Sequence, residues 1–318
     1  MELPQKIRSV LEAEAESCPQ GDLIFAARNL SERYRGERFS GARLASGTLD
    51  ALAYALARMP ATYAAVSMAV RLSGFSEIRS LLDLGAGTGA ASLAAAECFS
   101  LSQITCLERE SAMRSLGQRL LRASELPGTA NALWQPFDLE TSPVKIRADL
   151  VTASYLLNEL PQASRDSVLE EIWAAADRAL LLVEPGTPEG YRILMAARRK
   201  LLALGAHIAA PCTHESPCPV ERGDWCAFSC RVSRSKLQMR LKGGELPYED
   251  EKFCFLAVTR EESSQDGFRL LRHPQIAPGR ISLTLCGDEG IIQKTVSKKD
   301  GTLFKEARKA SAGDLLNL

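Results

Sequence analysis

Residues 81–92, LLDLGAGTGAAS, decide the fold of this chain. A short apolar run reaches Asp83, then Gly85, Gly87 and Gly89 follow at every second position, and an Ala-rich helical segment comes next. Glycines at this spacing let the backbone turn tightly after a strand and let a ligand approach amide groups that a Cβ would cover. A strand, a glycine loop and a helix in this order predict a ligand-binding turn at the start of a parallel sheet.

The segments beyond the loop alternate between strand and helix patterns. Strand patterns occur in ITCLERE (104–110), ADLVTASYLLNEL (148–160), RALLLVEPG (178–186), EKFCFLAVTR (251–260) and RISLTLCGDEG (280–290). Strands that alternate with helices of about 10–15 residues form βαβ units, so the sequence predicts an α/β fold with a mostly parallel sheet. Residues 1–75 have apolar residues at helical spacing and predict a helical region before the sheet.

Acidic residues at strand ends complete the pattern of a cofactor site. Glu108 ends the second strand about 20 residues after the loop, where a carboxylate can accept hydrogen bonds from ribose hydroxyls. Asp138 follows a third strand pattern, where it could meet an adenine amino group. The spacing Gly-x-Gly-x-Gly after Asp83, without the Gly-x-Gly-x-x-Gly of pyrophosphate sites, favours S-adenosylmethionine (SAM) over NAD. The alternatives are NAD or another nucleotide, and a structural turn beside unrelated acids.

The residues at the end of the fourth strand pattern do not identify a catalytic group. Ser154, Tyr155, Asn158 and Glu159 would lie near the cofactor edge, but a strand end followed by a helix cap explains them equally well. The Asn/Asp-Pro-Pro-aromatic run of many nitrogen-methylating enzymes is missing here, so we name no catalytic residue. The predicted cofactor-binding residues are Asp83, Gly85, Gly87, Thr88, Gly89, Glu108, Asp138 and Ser154.

Composition sets broad limits. The 318 residues are 46% hydrophobic and 25% charged, as in ordinary globular proteins, and the net charge is zero. Residues 231–318 contain 16 Lys and Arg against 12 Asp and Glu, a slight basic excess. No apolar run approaches the about 18–20 residues of a membrane helix, and the acidic start is unlike a secretory signal or a transit peptide. We predict a monomeric, bacterial-type cytoplasmic protein without membrane contact.

Four of the nine cysteines lie close together, namely Cys212, Cys218, Cys226 and Cys230. Their spacing, Cys-x5-Cys-x7-Cys-x3-Cys, is neither the paired Cys-x2-Cys of zinc ribbons and fingers nor the tight three-cysteine motif of radical SAM enzymes. A reducing compartment disfavours disulfides and favours a metal that orders this proline-rich loop. From these residues alone zinc, an iron–sulfur cluster and structural buried thiols all stay open. His214 is interpreted as a solvated loop residue rather than a ligand.

A basic stretch follows the cysteines. RVSRSKLQMRLKGG (231–244) contains five cations, and positions 231, 234 and 238 are predicted to share a helix face. An ordinary solvated face explains this pattern, and contact with RNA phosphates is the functional alternative. The run 198–200, Arg-Arg-Lys, would extend the same surface.

Together these motifs resemble the ribosomal small-subunit methyltransferase-like family of bacteria and mitochondria, over nearly all of the chain beyond its N-terminal region. The resemblance is carried by RMPATYAA (58–65), LLDLGAGTGAAS (81–92), ASYLLNEL (153–160), VEPGTPEG (183–190), the cysteine segment, FSCRVSRSKLQMRLKG (228–243), LTLCGDEG (283–290) and FKEARKASAGD (304–314). It implies a class I, Rossmann-like SAM-dependent methyltransferase core and a [4Fe–4S] cluster. The ligands it implies are Cys212, Cys218, Cys226 and Cys286, with zinc as the alternative metal, whereas Cys230 departs from the family pattern.

The resemblance also implies a function and an organisation. The protein would act on the small ribosomal subunit or its rRNA during assembly, as a SAM-dependent methyltransferase. Alternatively, it would be a non-catalytic assembly factor that keeps the SAM fold and the cluster as a binding module. With this family, RNA contact becomes the preferred interpretation of the basic stretch. The expected parts are a helical region (1–75), the SAM-binding core (76–205), a cysteine-rich cluster-binding segment (206–245) and a small β-rich part that completes the sheet and the cluster site (246–318).

Overall fold

The computed structural model describes residues 1–36, 47–220, 223–262 and 266–317, and four helices come first. They are α1 (Gln5–Glu16), α2 (Gln20–Gly36), α3 (Thr48–Ala57) and α4 (Met59–Ser73). α1 buries Ile7, Leu11 and Ala15, which share one face because they are four residues apart. α4 has Pro60 in its first turn, ends at the left-handed Gly74 and is buried almost all round. The helical pattern predicted for 1–75 is therefore confirmed in the described ranges 1–36 and 47–75, and its residues 37–46 lie outside them.

The central sheet has eight strands. Its elements are β1 (Ser80–Leu84), α5 (Ala90–Cys98), β2 (Gln103–Glu108), α6 (Ser111–Ser124), β3 (Leu133–Pro136), β4 (Ala148–Ser154), α7 (Arg165–Ala175), β5 (Ala176–Pro185), α8 (Pro188–Ala203), β6 (His207–Ala210), β7 (Phe228–Ser233), α9 (Lys236–Lys242) and β8 (Tyr248–Thr259). The strand order is β3-β2-β1-β4-β5-β8-β6, and β7 pairs with the first half of β8. β1 to β5 are parallel, whereas β8 runs antiparallel to β5 and β6. This is the arrangement of a class I methyltransferase core, so the predicted α/β fold is confirmed.

Helices cover both faces of this sheet. The middle strands β1, β4 and β5 are largely buried, which explains their nearly continuous apolar sequences. One core lies between the sheet and α1 to α6, and a second core lies between the sheet and α7 and α8. The order of the strands reverses between β1 and β4, so a crevice opens at their carboxyl ends. The glycine loop lies in this crevice.

A second sheet of five antiparallel strands forms the end of the chain. Its elements are β9 (Phe268–Leu270), β10 (Gln275–Ala277), β11 (Arg280–Gly287), β12 (Gly290–Ser297), α10 (Thr302–Lys309) and β13 (Leu315–Leu316). β12 pairs along the whole of β11, and α10 packs on both strands over a small core of their own. The region 246–318 is therefore divided, because β8 belongs to the central sheet and the rest forms this separate sheet.

Polar contacts join the second sheet to the core. The buried Arg269 donates hydrogen bonds from Nε to the carbonyl oxygen of Pro211 at 2.7 Å and from Nη1 to that of Gly313 at 2.7 Å. Arg272 forms an ion pair with Asp224 at 2.8 Å. The second sheet is thus docked against the cysteine segment. None of the helices in the described ranges has the length and apolar character needed to span a lipid bilayer.

Candidate functional sites

The glycine loop follows β1 directly. Gly85, Gly87 and Gly89 have φ angles of 63°, 54° and 85°, a left-handed conformation that residues with a side chain rarely adopt. A Cβ at Gly85 would lie 2.9 Å from Leu156, and one at Gly87 would lie 3.8 Å from the ring of Tyr54. The backbone therefore requires glycine at these positions, and the ring of Tyr54 lies beside the middle one.

Glu108 fastens the loop to the end of β2. Its Oε2 accepts a hydrogen bond from the N–H of Gly87 at 2.8 Å, and its Oε1 accepts one from the N–H of Glu110 at 2.8 Å. Burial raises the pKa of Glu108, and these two hydrogen bonds oppose the rise. The carboxylate lies beside the loop at a strand end, which is the position from which this type of fold binds ribose hydroxyls.

Asp83 lies beneath the loop rather than at its surface. The residue is 1% exposed, and its carboxylate accepts hydrogen bonds from Ser92 N at 3.1 Å, Ser92 Oγ at 2.7 Å and Thr152 Oγ1 at 2.9 Å. Burial raises the pKa of Asp83 to about 6, against the effect of these hydrogen bonds. Asp83 therefore ties β1 to β4 and to the first turn of α5, and supports the loop from below.

The remaining predicted cofactor residues surround the crevice. Asp138 is half-buried just after β3, and its Oδ1 accepts a hydrogen bond from the N–H of Glu140 at 3.0 Å. Thr88 is buried and Ser154 ends β4, and in the described part of the chain neither hydroxyl oxygen has a hydrogen-bond partner. A buried hydroxyl without a partner costs free energy that a polar ligand atom can restore. These two hydroxyls therefore fit a polar ligand.

Two tyrosines also border the crevice. Burial raises the pKa of Tyr54 to about 12, and the charges of Glu159 and Glu108 act in the same direction. Tyr155 has a φ of 58°, which is unusual for a bulky residue, and its hydroxyl donates a hydrogen bond to Glu251 at 2.9 Å. Sequence reasoning missed Tyr54, because a tyrosine in an Ala/Leu-rich helix has the pattern of a core residue.

The structure brings several cysteines to one cavity. Its walls contain five thiols, from Cys212, Cys218, Cys226, Cys254 and Cys286. Apolar side chains such as Leu194 and Met195 of α8 form most of the remaining wall. The cavity has about 470 Å³ of empty space, with the open solvent at its mouth included. Cys230 lies apart from it, buried on β7.

Burial controls the acidity of these thiols. It raises the pKa of Cys212 and Cys226 and raises that of Cys286 to about 12, and the closeness of the other thiols adds to the rise. The hydroxyl of Tyr191 donates a hydrogen bond to the Sγ of Cys218 at 3.2 Å. Thiolates in this cavity therefore need a metal or a nearby cation to compensate their charge.

Two interpretations of the surrounding loop are wrong. His214 is 8% exposed and its Nε2 lies 3.8 Å from the Sγ of Cys286, so it is not a solvated loop residue. Arg198 is 3% exposed and donates from Nη2 to the carbonyl oxygens of His214 at 2.8 Å and Ser216 at 2.9 Å, so it does not extend a basic surface. The helical period contained this signal, because Arg198 shares the buried face of α8 with Leu201.

The cavity lies in a positively charged environment. Arg269 lines it directly, and the charge of Arg198 lowers the pKa of Cys212 and Cys286 against the larger effect of burial. Within the described residues Arg198 has no acidic ion-pair partner, and its Nε has no hydrogen-bond partner. A buried cation of this kind is stabilised when negative charge binds next to it.

The thiols do not converge on one point. Nowhere in the described ranges are three or more His, Cys, Asp or Glu side chains arranged to hold a single metal ion. The donors around the cavity are sulfur atoms, which suit soft metals and iron–sulfur clusters.

Three of the five cations of the basic stretch pair with acids of β8. Arg231 pairs with Asp250 at 2.8 Å, and Arg234 and Lys242 both pair with Glu249. The predicted helix face is wrong, because Arg231 lies on β7 and α9 begins only after Arg234.

Comparison with known proteins places the chain in a family. The model of the family described as mitochondrial small ribosomal subunit Rsm22 matches residues 48–317. The chain belongs to the Rsm22 family. The family predicted from the sequence motifs is therefore confirmed.

Curated relatives of this Rsm22-family chain are longer. The human mitochondrial ribosome assembly protein METTL17 is 32% identical over 295 residues, which cover 83% of this chain and 62% of the human protein. An Rsm22–cox11 tandem protein from fission yeast (Schizosaccharomyces pombe), also mitochondrial, is 24% identical over 288 residues, which cover 75% of this chain and 38% of that protein. The chain thus spans less than two thirds of the length of each.

Two solved structures of methyltransferases show some similarity to the chain. A putative RNA methyltransferase from Pyrococcus horikoshii is 14% identical, with a TM-score of 0.44, over 76% of this chain and 98% of its own. Magnesium protoporphyrin IX methyltransferase from Synechocystis with bound SAM is 15% identical, with a TM-score of 0.42, over 76% of this chain and 97% of its own.

The predicted localisation needs correction. A bacterial-type cytoplasmic location was expected from the acidic start of the chain, and this is wrong. The matched family is described as mitochondrial, and the relatives from human and fission yeast are mitochondrial proteins.

Proposed function

We propose that this protein is a mitochondrial assembly factor for the small ribosomal subunit. In this proposal it acts as a monomer, binds SAM at the glycine loop, contains a [4Fe–4S] cluster in the cysteine cavity and contacts rRNA. The assembly role rests on the family match and on the human relative, a ribosome assembly protein, and the cluster rests on the cavity. The cavity joins Cys212, Cys218 and Cys226 of one segment to Cys286 of β11 and leaves Cys230 outside.

The residues of the crevice suit SAM. Glu108 would hold the ribose hydroxyls, Asp138 the adenine amino group, and the amides of the glycine loop the amino-acid part. The hydroxyls of Thr88 and Ser154, which have no partner in the described residues, would complete their hydrogen bonding on the ligand. When bound, SAM supplies a methyl group activated by a sulfonium. Asp83 does not touch the ligand in this proposal, because it lies beneath the loop and is 1% exposed.

The cavity suits a cluster better than one zinc ion. In the described residues the thiols of Cys212, Cys218, Cys226 and Cys286 do not converge on one point, whereas a zinc site needs its ligands at about 2.3 Å from one point. The buried charge of Arg198 lies where negative thiolates would compensate it. A cluster bound there would connect the cysteine segment to β11. Because β11 pairs with its neighbouring strands, the cluster would also connect the cysteine segment to the whole second sheet.

Metal analysis tests the cluster. Protein purified without oxygen is expected to contain about four irons and four sulfides per chain. Cys286→Ser should lose them and Cys230→Ser should keep them, because only the first residue lines the cavity. One zinc per chain, lost with Cys230→Ser, would refute the cluster.

Methyl transfer to rRNA is the second candidate function. The observation that favours it is Tyr155, which has a strained backbone at the end of β4, beside the crevice. Such strain in a bulky residue persists where surrounding structure enforces it and is common at active sites. Incubation of immature small subunits with methyl-labelled SAM, followed by measurement of the label in the rRNA, distinguishes the assembly role from methyl transfer. Tight SAM binding without label in the rRNA leaves the assembly role and removes the enzymatic one.

A further inference from the structure

We propose that the rRNA-binding surface of this protein lies on the second sheet rather than on the basic stretch after the cysteines. This inference rests on the proposed assembly function for the identity of the RNA. We call it the β12–α10 surface, and it consists of Arg280, Lys294, Lys298, Lys299, Lys305, Arg308 and Lys309.

The helix α10 gathers three of these cations on one side. Ala307 of α10 is buried against the small core of the second sheet, with Leu303 and Phe304 packed beside it. Lys305, Arg308 and Lys309 are three or four residues apart, so they lie together on the opposite, exposed face of the helix.

The turn before α10 continues this surface. Lys298 and Lys299 are exposed in a short 3-10 turn, which is fixed because Ser297 and Asp300 cap it through hydrogen bonds in both directions. Arg280 is exposed next to this turn, because it pairs with Ser297 across the ladder between β11 and β12.

Cations outnumber acids in this segment. Residues 294–309 contain six Lys and Arg and two acids, a net charge of +4. One of the acids, Asp300, accepts hydrogen bonds from the N–H of Ser297 at 2.6 Å and from its hydroxyl at 2.9 Å, and the charge of Lys294 helps to hold its pKa below the usual value. Among the described residues, none of the seven cations of the β12–α10 surface forms a salt bridge. In contrast, three of the five cations of the basic stretch, Arg231, Arg234 and Lys242, pair with acids of β8.

Phosphate is the ligand chemistry that fits. The only aromatic residue in 280–309 is Phe304, which is packed against the core of the sheet and therefore cannot stack on a base. Lysines and arginines on a rigid, exposed surface bind phosphates independently of sequence and release counterions as they do so. An anionic membrane also attracts cations, but the apolar residues of α10 that would enter lipid face the sheet.

Binding to a fluorescein-labelled small-subunit rRNA hairpin, measured by anisotropy across a range of salt concentrations, tests the surface. The variant replaces Lys298, Lys299, Lys305 and Lys309 by Gln. Each lost phosphate contact lowers the dependence of log affinity on log salt by about 0.7–0.9, so the slope should fall by about 3 and affinity should fall at least about tenfold. The control variant replaces Arg28, Arg79, Arg122 and Lys145 by Gln. These residues are exposed and form no salt bridge within the described ranges. Their replacement removes the same amount of positive charge, but from the helical region and the core.

The outcomes separate the hypotheses. Loss of slope and affinity in the surface variant alone, with wild-type iron content and unfolding temperature, supports the proposal. An equal loss of affinity in both variants would mean that only net charge matters. Unchanged affinity in the surface variant would mean that the RNA binds elsewhere. Either result overturns the proposal. Wild-type protein that binds neither the hairpin nor purified small subunits overturns the assembly function as well. Binding to phosphatidylglycerol vesicles that depends on these lysines while RNA binding does not would assign the surface to a membrane and overturn the inference.

Discussion

The glycine-loop site and the cysteine cavity are built in different ways. The loop, Asp83 and Glu108 come from two consecutive βα units, so residues close in sequence become close in space. The cavity takes its thiols from the segment after β6, from β8 and from β11, and so spans two sheets. The first kind of site forms as its strands form, whereas the second needs something to hold separate segments together. We therefore expect substitutions to affect the two sites independently.

The largest effect is expected at the cavity. Cys226→Ser should reduce iron and sulfide to background and lower the unfolding temperature, because the proposed cluster would link the second sheet to the cysteine segment. SAM affinity, measured by calorimetry, should stay at the wild-type value. Cys254→Ser is the matched control, since this thiol lies in the same wall but donates a hydrogen bond to the carbonyl oxygen of Cys226 at 3.1 Å. A simultaneous loss of SAM affinity in Cys226→Ser would contradict the independence of the two sites.

The reciprocal experiment is Gly87→Arg. The φ angle of Gly87 is 54°, which disfavours any residue with a side chain, and an arginine would fill the space between the loop and Tyr54. SAM affinity should fall at least about 100-fold, or about 2.7 kcal/mol, with iron content unchanged. Gly21→Arg controls for the added charge, because no atom lies within 4 Å of a Cβ at that position. Undiminished SAM binding by Gly87→Arg would refute the loop assignment.

A pH effect sharpens the role of Asp83. Burial raises the pKa of Asp83 from 3.8 to about 6, so between these values the folded protein binds more protons than the unfolded chain. Stability must then fall as pH rises through this window and stay level above it. Relative to Asp83→Asn, the wild type should lose about 2 kcal/mol of unfolding free energy between pH 4 and 6, measured by urea titration. If the unfolding free energy of the wild type instead increased between pH 4 and 6 relative to Asp83→Asn, the carboxylate would be stabilised in its charged form.

The smallest effect is expected at Arg198. A reduced cluster has one more negative charge than an oxidised one, so Arg198→Met should make its potential more negative. A shift on the order of 60 mV corresponds to a tenfold change in a one-electron equilibrium. Arg198→Lys keeps the charge and should shift the potential less. Redox titration followed by electron paramagnetic resonance measures both, and a shift to more positive values would contradict the role of the cation.

The sequence predicted the parts of the molecule that depend on local rules. The strand before LLDLGAGTGAAS and the helix after it are present because apolar period and glycine spacing act within about ten residues. The same rules failed for the stretch 231–244, where the helix begins late and the cations meet acids of a strand that comes later in the chain. Tyr54 and His214 were missed or misjudged because their neighbours come from distant segments.

By itself, then, the sequence determined the βα units, the glycine loop and the family of this protein, since these follow from residue spacing along the chain. Tertiary packing alone established which cysteines share a cavity, that Arg198 is buried beside them and that the cations of the β12–α10 surface form no salt bridge within the described residues. The physical reason is that burial and charge compensation depend on what packs against a side chain. For these residues, that packing comes from elements far away in sequence.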